Sequence, residues 1–138
     1  MVLCGRRKRW KRVSYDIRFG VKVVGAPDDC YAMIGHPEYD SPTYNLREIF
    51  VKSMDWDYHL GEWYPITEVL PKVQRGITEL TMRPGVYKRL EPDNGWGDVE
   101  GAVKCLKSIV DYFSPSGWGG LRGSWNADVP IEAIYMSW

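Results

Sequence analysis

A chain of 138 residues with 44% hydrophobic and 26% charged side chains is long enough to bury a core and too short for several domains. No apolar run nears the roughly 18 residues that a membrane-spanning helix needs, and two histidines without a cysteine pair at ligand spacing argue against structural zinc. Lys plus Arg and Asp plus Glu balance at 18 each, but six of the cations (Arg6, Arg7, Lys8, Arg9, Lys11 and Arg12) fall in residues 1–12 with no acid. The remainder therefore carries −6, which argues against nucleic-acid binding by the folded domain, because phosphate neutralisation supplies most of that affinity.

In chain order, residues 1–12 read as a basic, disordered extension that the domain at 13–138 does not need. From Ser14 to Val24, Tyr15, Ile17, Phe19, Val21 and Val23 alternate with Asp16, Arg18, Gly20 and Lys22, the pattern of a strand buried on one face. Gly25 to Asp29 reads as a turn, so Tyr31 to His36 is the second arm of a hairpin. His36 to Asn45 holds Pro37 and Pro42 and reads as a fixed loop. Asn45 and Glu48 have capping-box spacing ahead of a short helix over 46–54. An acidic and aromatic connection over 55–64 follows. Thr67 is the expected cap of a helix over 68–82, which places Pro71 in its first turn and gives a buried stripe of Val69, Leu70, Val73, Ile77 and Leu80. Arg83-Pro84-Gly85 ends it.

The stretch Glu91 to Asp98 reads as a rigid turn opening into the strongest helix signal, over 98–113. Asn94-Gly95 and Gly97 suit positive φ, Asp98 stands at the N-cap, and Val99, Ala102, Val103, Leu106, Ile109, Val110 and Phe113 recur at steps of three and four. Trp96 is expected to turn inward onto the start of this helix, which makes Asn94, Gly95, Trp96 and Gly97 a structural loop. The glycine-rich stretch from Ser114 to Asn126 shows no periodicity. A closing strand over 129–137 carries Pro130 near its start, which suggests an edge position or a strand entrance. The fold class is α+β: a small three-stranded antiparallel or mixed sheet with three helices packed on one face, in the order β-β-α-α-α-β.

Tyr44-Asn45-Leu46 at one helix start, with Pro92-Asp93-Asn94-Gly95-Trp96-Gly97 at a later one, resembles a set of small proteins encoded by phages and prophages. The resemblance covers about residues 39–113, and the tail after Ser114 departs from it. It implies a mobile-element source, hence the cytoplasm of an infected or lysogenic bacterium, and no particular activity. Cys4, Cys30 and Cys105 lack paired spacing, which agrees with a reducing compartment and no disulfide framework.

Catalytic chemistry finds little support. Cys30 and His36 on one strand would lie about 20 Å apart at roughly 3.3 Å per residue, beyond proton-transfer reach. The glycine-rich Gly117 to Gly123 lacks the Lys-Ser/Thr ending of a phosphate loop. No residues gather to hold a metal or cofactor, so none is expected. Seven Trp and nine Tyr, many in loops, point instead to binding. The expected ligand residues are Tyr39, Tyr44, Asn45, Trp56, Trp63, Trp118, Arg122 and Trp125. Three functions are compatible with them. A non-enzymatic protein would bind a small, nucleotide-like ligand such as a host defence signal, an inhibitor would cover a host protein with its 55–64 segment, and a small hydrolase would use loop carboxylates such as Glu38 and Asp40. A second copy of the chain is a further admissible partner; a membrane is not.

Overall fold

The computed structural model describes residues 2–4, 16–22, 25–27, 30–39, 42, 44–95, 97–112 and 133–137. Five strands among them form one antiparallel sheet: β1 (Val2–Cys4), β2 (Asp16–Lys22), β3 (Cys30–Gly35), β4 (Trp63–Pro65) and β5 (Ala133–Ser137). Their spatial order is β1-β3-β2-β5-β4. Four α-helices complete the described chain: α1 (Arg47–Met54), α2 (Ile66–Met82), α3 (Pro84–Lys88) and α4 (Val99–Tyr112), with a 3₁₀ turn at Tyr44–Leu46 before α1. The α+β class and the β2–β3 hairpin match the sequence pattern, while β1, β4 and α3 add to it.

Alternation on β2 sends Ile17 and Phe19 into the core, where Ile134 of β5 meets them. The helices pack on this face. α1 contributes Ile49, Phe50 and Met54. From α2 come Ile66, Val69, Val73, Gly76 and Leu80, a 3-4-3-4 stripe. α4 supplies Val99, Ala102, Cys105, Leu106, Ile109 and Tyr112. Gly76 lets α2 approach α1 and α4, since a methyl there would lie 2.7 Å from Met54 Cγ and 2.8 Å from Leu106 Cδ1.

Opposite the Phe19–Gly20 step of β2, β3 carries one extra residue, Ile34, as a bulge. Phe19 and Gly35 therefore share the helix side, where Tyr112 stacks on Phe19 with ring centroids 4.5 Å apart. Gly20 and Met33 share the other side.

Several local expectations are corrected. Part of the supposed disordered extension, Val2–Cys4, is a strand: three apolar residues ahead of the basic run pair along the outer edge of β3. α2 starts at Ile66 with Pro65 before it, so Thr67 is not its cap and Pro71 lies inside the helix. Pro71 and Thr67 are both exposed, so the Thr67 carbonyl, which Pro71 offers no amide, lies at the solvent side of the helix. The Asn45–Glu48 capping box is absent, because the chain is already coiled through the 3₁₀ turn and Leu46 precedes α1 without a side-chain cap. Glu48 pairs with Lys52 instead, at 3.2 Å. β5 lies between β2 and β4, which rules out an edge position; Pro130 itself is outside the described residues.

The turn before α4 behaves as its residues require. Gly95 and Gly97 adopt φ of 74° and 113°. The Asp98 carboxylate accepts the Gly101 N–H at 2.6 Å, and Glu91 accepts that of Val99 at 3.3 Å. Two carboxylates thus occupy the donors that an anion would need at this helix start. Trp96, whose inward placement the sequence suggests, lies outside the described residues.

Candidate functional site

The sheet face opposite the helices carries Asp16, Arg18, Gly20 and Lys22 from β2, Tyr31 and Met33 from β3, and Trp63 from β4. Its centre is a pair of rings. Trp63 starts at the β4 edge, and its ring reaches over Gly20, two strands away. A methyl at Gly20 would lie 2.6 Å from Trp63 Cη2, 2.7 Å from its Cζ3 and 3.0 Å from Tyr31 Cβ. Gly20 has an ordinary negative φ, so this glycine serves the ring rather than the backbone. The Trp63 and Tyr31 rings meet at 4.9 Å between centroids, tilted by 42°, a favourable aromatic geometry.

Cations frame the pair. Lys22 Nζ stands 5.2 Å from the Tyr31 ring centroid and donates to the Pro27 carbonyl at 3.3 Å. Arg18 donates from Nη1 to the Ile17 carbonyl at 2.8 Å, and its Nη2 lies 3.6 Å from the Asp16 carboxylate. All of these side chains are half-buried. The strip is locally cationic on a body that is acidic apart from residues 1–12, and no helix packs on it among the described residues.

A second aromatic group lies on the helix side. Trp56 packs 5.2 Å from Tyr58 and 4.8 Å, edge-on, from Tyr64. Tyr58 is fully buried, with the Arg47 guanidinium 5.1 Å from its ring centroid and donating to its carbonyl at 2.6 Å. The Tyr64 hydroxyl accepts the His59 N–H at 2.8 Å and donates to Glu62 at 3.2 Å. Burial raises the Tyr64 pKa above its ordinary value; the His59 hydrogen bond opposes this, while the Glu62 charge adds to it.

Beneath Trp56 and Tyr58 lies a cavity of about 20 Å³ walled by core residues such as Ile17, Val73 and Ile134. It has room for one water, but its almost wholly apolar walls give a water no partners. An open depression of about 360 Å³ follows the outer side of α1 at Asn45, Arg47, Glu48, Val51 and Lys52. Its charges are already paired, Arg47 with Asp57 at 3.0 Å and Lys52 with Glu48.

The residues expected to bind ligand are thus distributed over several places. Trp63 is on the open sheet face, and Trp56 is with the core on the opposite face. Asn45 borders the α1 depression. Tyr39 is half exposed, with its N–H bonded to Ser108 Oγ at 3.3 Å. The side chain of Tyr44 and all of Trp118, Arg122 and Trp125 lie outside the described residues. Of the hydrolase carboxylates, Glu38 is exposed and Asp40 is outside the described residues. No group of three metal-ligating side chains occurs among the described residues, and no described helix is long and apolar enough to cross a membrane.

Tyr31, Lys22 and Arg18 were not singled out in the sequence. The alternation of β2 puts Arg18, Gly20 and Lys22 on one face, and that signal was available. Their meeting with Trp63 depends on pairing across four strands, which it does not reveal. The cysteine expectation is also corrected: Cys30 is disulfide-bonded, and Cys105 is buried and in no disulfide. The β1–β3 register sets the backbone of Cys4 opposite Cys30, a pairing that their separation in sequence conceals. Comparison with protein-family models, with curated proteins and with solved structures finds no match, so the residues of the open sheet face are themselves the ground for any functional reading.

Proposed function

We propose that the protein is a non-enzymatic binder of a small planar anion, nucleotide-like in chemistry, held on the open face of its sheet. The observation that carries this reading is the Trp63–Tyr31 ring pair seated over Gly20 and flanked by Lys22 and Arg18. Trp and Tyr rings offer large contact area with few rotors to freeze, and the nearby cations supply attraction for one negative group. With Arg18 also pairing Asp16, the strip's small positive excess suits a single anionic group better than a long phosphate backbone, which gains affinity through many such contacts. The phage or prophage source belongs to this reading and rests on the Tyr-Asn-Leu and Asn-Gly-Trp-Gly pieces.

The host-protein inhibitor is the weaker alternative. Its contact segment, 55–64, turns Tyr58 fully inward and packs Trp56 and Tyr64 beside it, which leaves less aromatic surface for a partner.

The test is equilibrium dialysis of the full chain against a panel of ribonucleoside mono- and diphosphates, beside Trp63→Ala and Lys22→Ala. Binding in the wild type, at least tenfold weaker in Trp63→Ala and less salt-sensitive in Lys22→Ala, would support the assignment. Stacking of one base on an aromatic side chain is worth roughly 1–3 kcal/mol. A Trp63→Ala protein that binds like the wild type, or a wild type that binds nothing on the panel, would overturn it.

A further inference from the structure

The outer edge of β3 is held in an unusual way. Its partner β1 is only three residues long, with Val2, Leu3 and Cys4 opposite Ala32, Tyr31 and Cys30. Gly5 and a run of mutually repelling cations follow directly in sequence. So short a strand has few ladder bonds to keep it in place. Cys30, at the end of this ladder, is 3% exposed and disulfide-bonded. The chain has three cysteines, and Cys105 is buried on α4 in the helix layer and in no disulfide. Cys4, whose backbone faces Cys30, is the one that remains.

We propose that Cys4 and Cys30 form a reversible disulfide latch that fixes the N-terminal strand to the sheet and opens when reduced. This stands apart from the ligand reading above and survives or fails without it. Reduction breaks the S–S bond: a dithiol gives up two electrons and two protons, leaves as its own disulfide, and the chain gains two thiols. Burial of Cys30 hinders direct attack on its sulfur, which slows opening of the latch. Once β1 detaches, the outward backbone groups of β3 lose their partners and exchange with water. The latch closes a loop from residue 4 to residue 30, and its loss raises the unfolding equilibrium constant on the order of a hundredfold.

The experiment uses the full chain purified without reductant. Thiol titration after denaturation should find one free thiol, and a non-reducing peptide map should find a Cys4–Cys30 linked peptide. Hydrogen exchange of the peptide covering Cys30–Gly35 should accelerate at least tenfold when dithiothreitol is added. Cys4→Ser should show the fast exchange without reductant and gain nothing further from it, while Cys105→Ser should behave like the wild type. Three free thiols, a Cys30–Cys105 linkage, a cross-link between chains, or exchange indifferent to both dithiothreitol and Cys4→Ser would each overturn the proposal.

Discussion

Replacing Gly35 by Ala puts one methyl group where the Tyr112 hydroxyl already sits, with the ring carbon Cζ 3.1 Å away. Tyr112 has little room to retreat: it is 7% exposed, and its ring lies 4.5 Å from that of Phe19, itself fully buried. Overpacking of this kind costs about 1–3 kcal/mol. Against it stands the entropic gain of replacing glycine in a strand, about 0.5–1 kcal/mol, which is available because Gly35 has no positive φ. The overlap wins, and Gly35→Ala is expected to lose about 0.5–2 kcal/mol, the end-by-end difference of those two ranges. Tyr112→Phe removes the atom in the way, and its own cost is measured separately in the cycle. The double mutant should then be little worse than Tyr112→Phe, with a favourable coupling of roughly 1 kcal/mol or more. Urea unfolding followed by far-ultraviolet circular dichroism measures all four corners of the cycle. Additive losses, or a Gly35→Ala protein as stable as the wild type, would refute the packing argument.

Asp98→Ala is expected to destabilise the protein by about 1 kcal/mol through loss of the α4 cap, while Asp98→Asn stays within a few tenths; a melting series of the two variants checks this. Tyr64 gives a prediction about pH. Its pKa is raised in the fold above the ordinary tyrosine value of 10.0, so the unfolded chain releases this proton first and stability falls as pH rises past 10. Tyr64→Phe should flatten that alkaline decline, leaving the part due to Tyr87, whose burial also raises its pKa. Denaturation curves from neutral to alkaline pH with equal slopes for wild type and variant would contradict the assignment.

The long periodic elements were legible in the sequence because each repeats its signal several times. β2 alternates over seven residues, and α2 and α4 keep a buried stripe through 17 and 14 residues. β1 and β4, of three residues each, and α3, of five, are too short for any period to show, and they form only because longer elements offer them an edge or a turn. The same limit governed the site. Trp56 and Trp63 belong to one aromatic segment in sequence, yet Trp56 joins Tyr64 on the helix side while Trp63, one residue before Tyr64 on a strand, faces away. Trp63 was identifiable by residue type, but its neighbour Tyr31 is 32 positions earlier in the chain and becomes visible only through strand order.

The two borders of the sheet have a consequence for how the protein behaves at high concentration. Among the described residues each border is a three-residue strand, β1 on one side and β4 on the other, and β4 ends at the exposed Pro65, which has no N–H to offer a neighbour. Strands this short offer an intruding chain few backbone groups of their own with which to template cross-molecule pairing. β3 is the strand with most to hide: Cys-Tyr-Ala-Met-Ile-Gly carries no charge that would repel a second copy. The short β1 covers only Cys30, Tyr31 and Ala32 of it, so the outer edge of Met33 to Gly35 is where β1 gives no protection.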